Sequence, residues 1–258
     1  MRSASMFGLL ALVFCLAAPP AWAQPADFSG EARVPEIEIN RGGGRKFNIA
    51  VTELLPQAAG GQTDRSAAAL PERLSKNLAM TGLFNSLDQR SFLEFGDQKR
   101  AGLDEGRQPD FSAWSKIGAD FLVKGTVSAG GSRLTLEMRL FDVGLSRQIL
   151  GKRYTGPAKD GRKMINQFTN AVLEAITGAP GVFGSEIIFA SGPPSSKAIM
   201  LTELGSDEAV KVAASRGGPS TQPTLGPGGR KAWVHRKNKV WELLVDGRVV
   251  SSGDAHFS

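Results

Sequence analysis

Residues 114–154 read WSKIGADFLVKGTVSAGGSRLTLEMRLFDVGLSRQILGKRY, and this run decides the fold class. Ile117, Gly118, Ala119 and Asp120 close a helical turn, after which Phe121, Val123, Thr126 and Val127 form an extended apolar segment broken by Gly125. Gly130-Gly131 then turns the chain. Leu134, Leu136, Met138 and Leu140 alternate with Thr135, Glu137 and Arg139, the period of two that marks a strand with one buried face and one wet face. A third strand follows towards Tyr154. No nucleophile, metal cluster or phosphate loop interrupts the run, so it specifies a fold more sharply than a chemistry.

On the N-terminal side, residues 34–39 alternate Ile37 and Ile39 with Glu36 and Glu38, the pattern of a strand able to pair at an edge. Gly42-Gly43-Gly44 separates it from a second strand at Phe47, Asn48, Ile49, Ala50 and Val51. Two readings stay open for the first segment: a tethered edge strand exchanged between partners, or the ordinary first strand of the sheet. Residues 64–80 become helical, with Leu70, Leu74 and Leu78 four apart and Gly82 as the stop, while Pro71 predicts a late start or a bend. After a polar, glycine-rich stretch over residues 96–108, Asp110 can cap a short helix containing Phe111 and Trp114.

On the C-terminal side, the strongest helix begins after Asp160. Met164, Ile165, Phe168, Ala171, Val172, Ala175 and Ile176 share one face, while Lys163, Asn166, Gln167, Asn170 and Glu174 lie largely off it. Gly178 and Pro180 end it. Such a stripe needs a sheet to cover, so residues 24–180 are expected to form one α/β domain, a mixed sheet with helices.

From residue 181 the helical period disappears. Residues 186–190, 198–204, 210–213, 231–235, 240–245 and 249–251 are short strand-like runs divided by Gly, Pro, Ser and Asn clusters. Residues 188–190 and 232–234 correspond at a spacing of about 44 residues, the period of a four-stranded propeller blade, with residues 221–231 as the turn between them. Two copies cannot bury both faces of their sheets, because repeat architectures need about three units. Residues 181–258 are therefore read as an incomplete β-propeller of about one to one and a half blades, a fragment or early stop of a longer array.

Residues 1–23 carry Arg2, an apolar stretch over residues 6–18 and the small residues Ala21 and Ala23, as a cleavable secretory signal peptide requires. Cleavage would leave a mature chain starting at Gln24. Cys15 is the single cysteine, so that mature chain has no disulfide and no thiolate metal site, which fits a bacterial periplasm. No later run approaches membrane-spanning length, and none is expected.

The net charge of +6 and the pI near 9.6 come from scattered Lys and Arg. Residues 41–46 superficially suggest an RNA-binding Gly-Arg segment, but the aromatic interleaving that stacks bases is missing, so no nucleic-acid partner is expected. Enzyme chemistry is equally thin. His235 and His256 are the only histidines and have no carboxylate cluster in sequence, which argues for a packing role and against a metal site. There is no G-x-S-x-G elbow and no Walker or dinucleotide glycine pattern. Asp104-Glu105 and Asp207-Glu208 fall in polar loops as solvated charge, and Trp114, Trp233 and Trp241 sit in apolar patterns that suit core packing. Neither catalytic residues nor cofactors are assigned.

Several segments nevertheless combine into a resemblance. Residues 47–51 (FNIAV), 78–84 (LAMTGLF), 114–125, 140–143 (LFDV) and 173–178 (LEAITG), followed by Gly181 and Phe183, resemble the TolB family of the Tol-Pal system in order. Two positions depart from the family pattern. Gly226-Pro227-Gly228-Gly229 stands where the propeller turn commonly reads Ser-Pro-Asp-Gly, and Arg162 is followed by Asn166 and Gln167 without a histidine. The resemblance implies a periplasmic, non-catalytic adaptor that links inner-membrane Tol proteins (a TolA-like partner) to the peptidoglycan-associated lipoprotein and supports outer-membrane integrity and cell division. It also implies that Glu36, Ile37, Glu38, Ile39 and Asn40 engage the inner-membrane partner. The competing expectation is a periplasmic hydrolase or sugar-binding module whose site lies in further propeller blades.

Overall fold

The computed structural model describes residues 45–57, 65–130, 132–214 and 216–254. The leader, the strand expected at residues 34–39 and His256 lie outside the described residues. The first strand, β1 (Phe47–Pro56), sends Ile49 and Val51 to one side of the sheet and Ala50 to the other. The helix expected over residues 64–80 is two pieces, α1 (Arg65–Ala68) and α2 (Leu70–Met80), with Pro71 in the first turn of α2, where its missing N–H costs no helical hydrogen bond. Leu70, Leu74 and Leu78 are all buried.

A short strand, β2 (Phe84–Ser86), pairs parallel to β1. Residues 87–110 follow as a long connection with two single-turn helices, Gln89–Ser91 and Gly96–Arg100. Asp110 then caps α3 (Phe111–Lys116) by accepting the N–H of Ala113 at 3.1 Å. The meander comes next: β3 (Phe121–Gly130), β4 (Arg133–Asp142) and β5 (Arg147–Pro157). Sheet order is β2-β1-β3-β4-β5, parallel at β2/β1 and β1/β3 and antiparallel from β3 onward, so the sheet is mixed as expected.

The expected break at Gly125 does not occur, because β3 runs through it without interruption. A β-carbon at Gly125 would lie 2.7 Å from Leu54 Cδ2 and 2.8 Å from the Glu137 carbonyl oxygen. The glycine is there to let neighbouring strands close up, and it leaves the strand intact.

The final helix of this part, α4 (Gly161–Thr177), packs with α2 over the face of the sheet formed by Leu134, Leu136, Met138 and Leu140. Gly178 ends it in a left-handed conformation. The stripe differs from the sequence expectation at its flanks. Asn166 is buried and Ala175 exposed, because α4 is covered by α2 as well as by the sheet, which rotates the buried arc towards Asn166 and Thr169. The opposite sheet face carries a smaller core of Ala50, Leu122, Phe141 and Val143, sealed by Trp114 from α3.

The strand-rich tail forms two antiparallel sheets. β6 (Glu186–Ser191), β7 (Ala198–Glu203) and β8 (Ala209–Ala213) make a three-stranded meander. β9 (Ser220–Leu225), β10 (Lys231–Lys237), β11 (Val240–Val245) and β12 (Arg248–Gly253) make a four-stranded one. The correction here is β9, which occupies residues expected to be turn. Its Pro223 conceals it in the sequence, yet β9 is an edge strand and the register slips between Ala232 and Val234, so the proline sits in a bulge where no ladder N–H is required. The corresponding β6 and β10 each begin a hairpin onto their next strand, and the Ser220 N–H binds the Lys197 carbonyl at 2.8 Å to join the two sheets. The described strands of the tail form two open sheets and no closed barrel, as an incomplete propeller does.

Candidate functional site

The first cluster is built on β3. This strand is buried on both faces, so Lys124 has no route to solvent and its side chain is 0% exposed. Its Nζ lies 2.5 Å from Glu94 Oε2, and Trp114 Nε1–H donates to Glu94 Oε1 at 3.0 Å. Burial pushes the Lys124 ammonium below the usual lysine range, against the pull of the Glu94 carboxylate. Glu94 thus uses both oxygens on fixed donors and is held as an anchor.

Pinning Glu94 also positions its neighbours. Phe92 meets Trp114 edge to face at 4.9 Å, and Phe95 is left 71% exposed. Together with Thr52, Gln89 and Lys99 they line a cleft beside the loop. On its rim, Lys99 Nζ pairs with Glu53 Oε1 at 2.6 Å. An aromatic floor with neutralised rim charges suits an apolar anchor side chain better than a charged small molecule.

The second cluster joins the helices to the tail. Arg73 donates to the Gly205 carbonyl at 2.6 Å and pairs with Asp207 at 3.0 Å, while Arg162 pairs with Glu208 at 3.2 Å. Beneath them the Asn77 amide donates to Asn166 Oδ1 at 2.9 Å and to Thr169 Oγ1 at 3.3 Å. Asn170 brackets Phe183, accepting its N–H at 2.9 Å and donating to its carbonyl at 3.0 Å. Gly205 has φ +88°, and a β-carbon there would lie 2.9 Å from Asn77 Oδ1 and 3.0 Å from both Asn166 Oδ1 and Phe183 Cδ1. The acids expected as solvated loop charge, Asp207 and Glu208, remain exposed but clamp the β7–β8 turn to α2 and α4.

The other candidates fall as follows. Glu36, Ile37, Glu38, Ile39 and Asn40 lie outside the described residues. His235 is buried, with Nδ1 at 3.0 Å from Ser220 Oγ and Nε2 at 3.0 Å from the Arg216 carbonyl, so it ties β10 to β9 and its approach. Trp114 and Trp233 are core residues, and Arg236 lies over the half-buried Trp241 at 5.5 Å. Asp104 is taken by Arg100 at 2.8 Å. Among the described residues no group of three or more His, Cys, Asp or Glu is placed to hold a metal ion, and no helix is long and apolar enough to cross a membrane. The residues that sequence reasoning missed are Glu94, Lys124 and the Asn77/Asn166 pair. A lysine inside an apolar run that is buried on both faces was the available signal for the first two.

A mixed α/β domain clamped to propeller-type sheets defines the class of protein. Residues 35–149 match the family model of the TolB amino-terminal domain. Through that domain the chain is similar to the TolB family. It is 32% identical over 223 residues to the Tol-Pal system protein TolB of Syntrophotalea carbinolica, covering 86% of this chain and 48% of that relative. To the Tol-Pal system protein TolB of Desulfosudis oleivorans it is 39% identical over 140 residues, covering 54% of this chain and 31% of that one. The crystal structure of TolB from Acinetobacter baumannii superposes with a TM-score of 0.65 at 19% identity, over 81% of this chain and 50% of that chain, which establishes the shared fold. The chain therefore spans less than half the length of these two curated relatives.

Proposed function

We propose that this chain is a non-catalytic adaptor of the Tol-Pal system, exported to the periplasm, that links an inner-membrane Tol protein to the peptidoglycan-associated lipoprotein and so supports outer-membrane integrity and division. The observation that carries the reading is the match of residues 35–149 to the TolB amino-terminal domain in relatives named for the Tol-Pal system. In this reading residues 1–23 are a signal peptide, residues 24–180 the adaptor's first domain and residues 181–258 the start of its propeller. Glu36, Ile37, Glu38, Ile39 and Asn40 are the contact for the TolA-like inner-membrane partner, by extended-segment recognition at the head of the matched region. The commitment of Glu94 to Trp114 and Lys124 is in keeping with recognition as the work of this fold.

The test is a pull-down from envelope extract with the full chain and with a chain deleted for residues 34–40. The full chain is expected to recover Tol-Pal components, and the deletion to lose the inner-membrane partner. Unchanged recovery after the deletion rejects the assignment of residues 36–40, and recovery of no Tol-Pal component by the full chain rejects the adaptor role.

A further inference from the structure

The five-stranded sheet ends on β5, and no described strand pairs with its outer edge. An unpaired edge of this length is a template for another strand, and proteins manage the hazard with charge. β5 is 11 residues long and carries Arg147, Lys152 and Arg153 with no acid. Arg147, Gln148, Gly151, Lys152 and Arg153 are all exposed.

The neighbouring side chains add to that charge. On the sheet face opposite α2 and α4, Glu137 of β4 accepts from Arg139 at 2.7 Å and from Arg153 at 3.2 Å. These three residues line a shallow hollow with Gln148 and Gly151, so two arginines share one carboxylate, while Lys152, opposite Met138, belongs to the other face. On the helix-covered face, Phe47, Ile149 and Ile176 line a second hollow at the start of β5 beside Arg147. Phe47 is 41% exposed there. Each side of the edge therefore carries two cations to one carboxylate, Arg139 and Arg153 with Glu137 on one and Arg147 and Lys152 with Asp142 on the other, where the apolar seat also lies.

Strand alternation turns this into a sequence requirement. A strand added to β5 sends successive side chains to opposite faces. Acidic residues on one face would reach Arg153 and the rim of Arg139, and those on the other would reach Lys152 and Arg147 beside the hollow of Phe47, Ile149 and Ile176. The same cations reject a basic strand and a second copy of β5 itself, as selective edges do.

We propose that the outer edge of β5 is a docking site for an acidic extended segment of a partner protein, added to the sheet as a sixth strand. Main-chain hydrogen bonds give it affinity, and the cation row fixes its composition. The assignment stands on charge and topology, and is independent of the Tol-Pal reading.

The probe is a labelled acetyl-Glu-Val-Glu-Val-Glu-Val-Glu-amide peptide titrated into the full chain by fluorescence anisotropy, with hydrogen exchange read along residues 147–157. Binding is expected to slow exchange in β5, to weaken at least tenfold when the glutamates become lysines, and to weaken at least tenfold in a Lys152→Glu/Arg153→Glu variant with an unchanged circular dichroism spectrum. N-methylation of alternate probe amides is expected to abolish binding in one of the two registers and leave it in the other. Equal binding of both methylated probes overturns strand addition and leaves charge attraction alone. Protection that appears elsewhere overturns the site. Tighter probe binding after deletion of residues 34–40 assigns the edge to the chain's own leader, and a dimer that the probe dissociates assigns it to a second copy. Either result overturns an outside partner.

Discussion

Between β1 and α4 the sheet is covered on both faces, by α2 and α4 on one side and by Trp114 and the 87–110 connection on the other. Between β6 and β12 the strands are equally well paired, yet few apolar side chains are buried: Ala198, Ile199, Trp233 and Val234 are inside while Ile187, Val210, Val249 and Val250 are exposed. The difference separates two requirements that are easily merged. Hydrogen-bonded ladders satisfy the backbone, but stability comes from surfaces withdrawn from water, and propeller-type sheets withdraw theirs by stacking on further repeats. The α/β part carries its own core, and the tail borrows from its neighbours.

The sharpest way to break that contrast is a matched pair of truncations. Phe168→Ala, at a fully buried site on α4, is expected to lower stability by about 4 kcal/mol, whereas Val250→Ala, 57% exposed on β12, is expected to change it by less than about 0.5 kcal/mol in urea melts. Similar losses at the two sites would erase the distinction. A second experiment asks whether the α/β core has a polar weld as well as an apolar one. Lys124→Met strands the Glu94 carboxylate beside Trp114 and is expected to cost about 3 kcal/mol, most of it regained when Glu94→Gln is added. The same double-mutant cycle read by Trp114 fluorescence would show no coupling if the pair were incidental.

The smallest effect is a pH dependence. The hydrogen bond from Arg139, helped by the charges of Arg139 and Arg153 and opposed by burial, holds the Glu137 carboxyl below its ordinary value of 4.5. A carboxyl depressed in the folded state stabilises above its unfolded pKa, and that contribution is lost as the pH falls through its folded pKa. Glu137→Gln is therefore expected to cost about 1 kcal/mol at pH 7, with the gap to the parent chain closing as the pH drops below 4.5. A gap that stays constant down to acid pH would assign the loss to packing.

What could be read from residues alone divides along the same line. Leu134, Leu136, Met138 and Leu140 announce their strand because one face is wet and the alternation is visible. The stripe of α4 announces its helix for the equivalent reason. β9 hides because Pro223 and the surrounding glycines are scored as turn chemistry, whereas a bulged edge strand has no use for the missing N–H. Lys124 and Asn166 hide for a different reason. Polar residues in an amphipathic pattern are assigned to solvent by default, and nothing local reveals that Glu94 or Asn77 will arrive from another segment to satisfy them. The β5 edge is half legible: its cations are plain in the sequence, but its place at the end of the sheet is a fact of topology. For Glu36, Ile37, Glu38, Ile39 and Asn40 the family resemblance remains the guide, since they lie outside the described residues.

Gly205 leaves this protein with a constraint on what its descendants can change. The turn it occupies is exposed enough to look like permissive surface, yet one added methyl group would collide with the amides of two helices and an aromatic ring while the backbone stays at φ +88°. Substitutions there would act at a distance, loosening α2 from α4 and the tail from both, so a lineage can trade the exposed ion pairs of Asp207 and Glu208 long before it can vary Gly205.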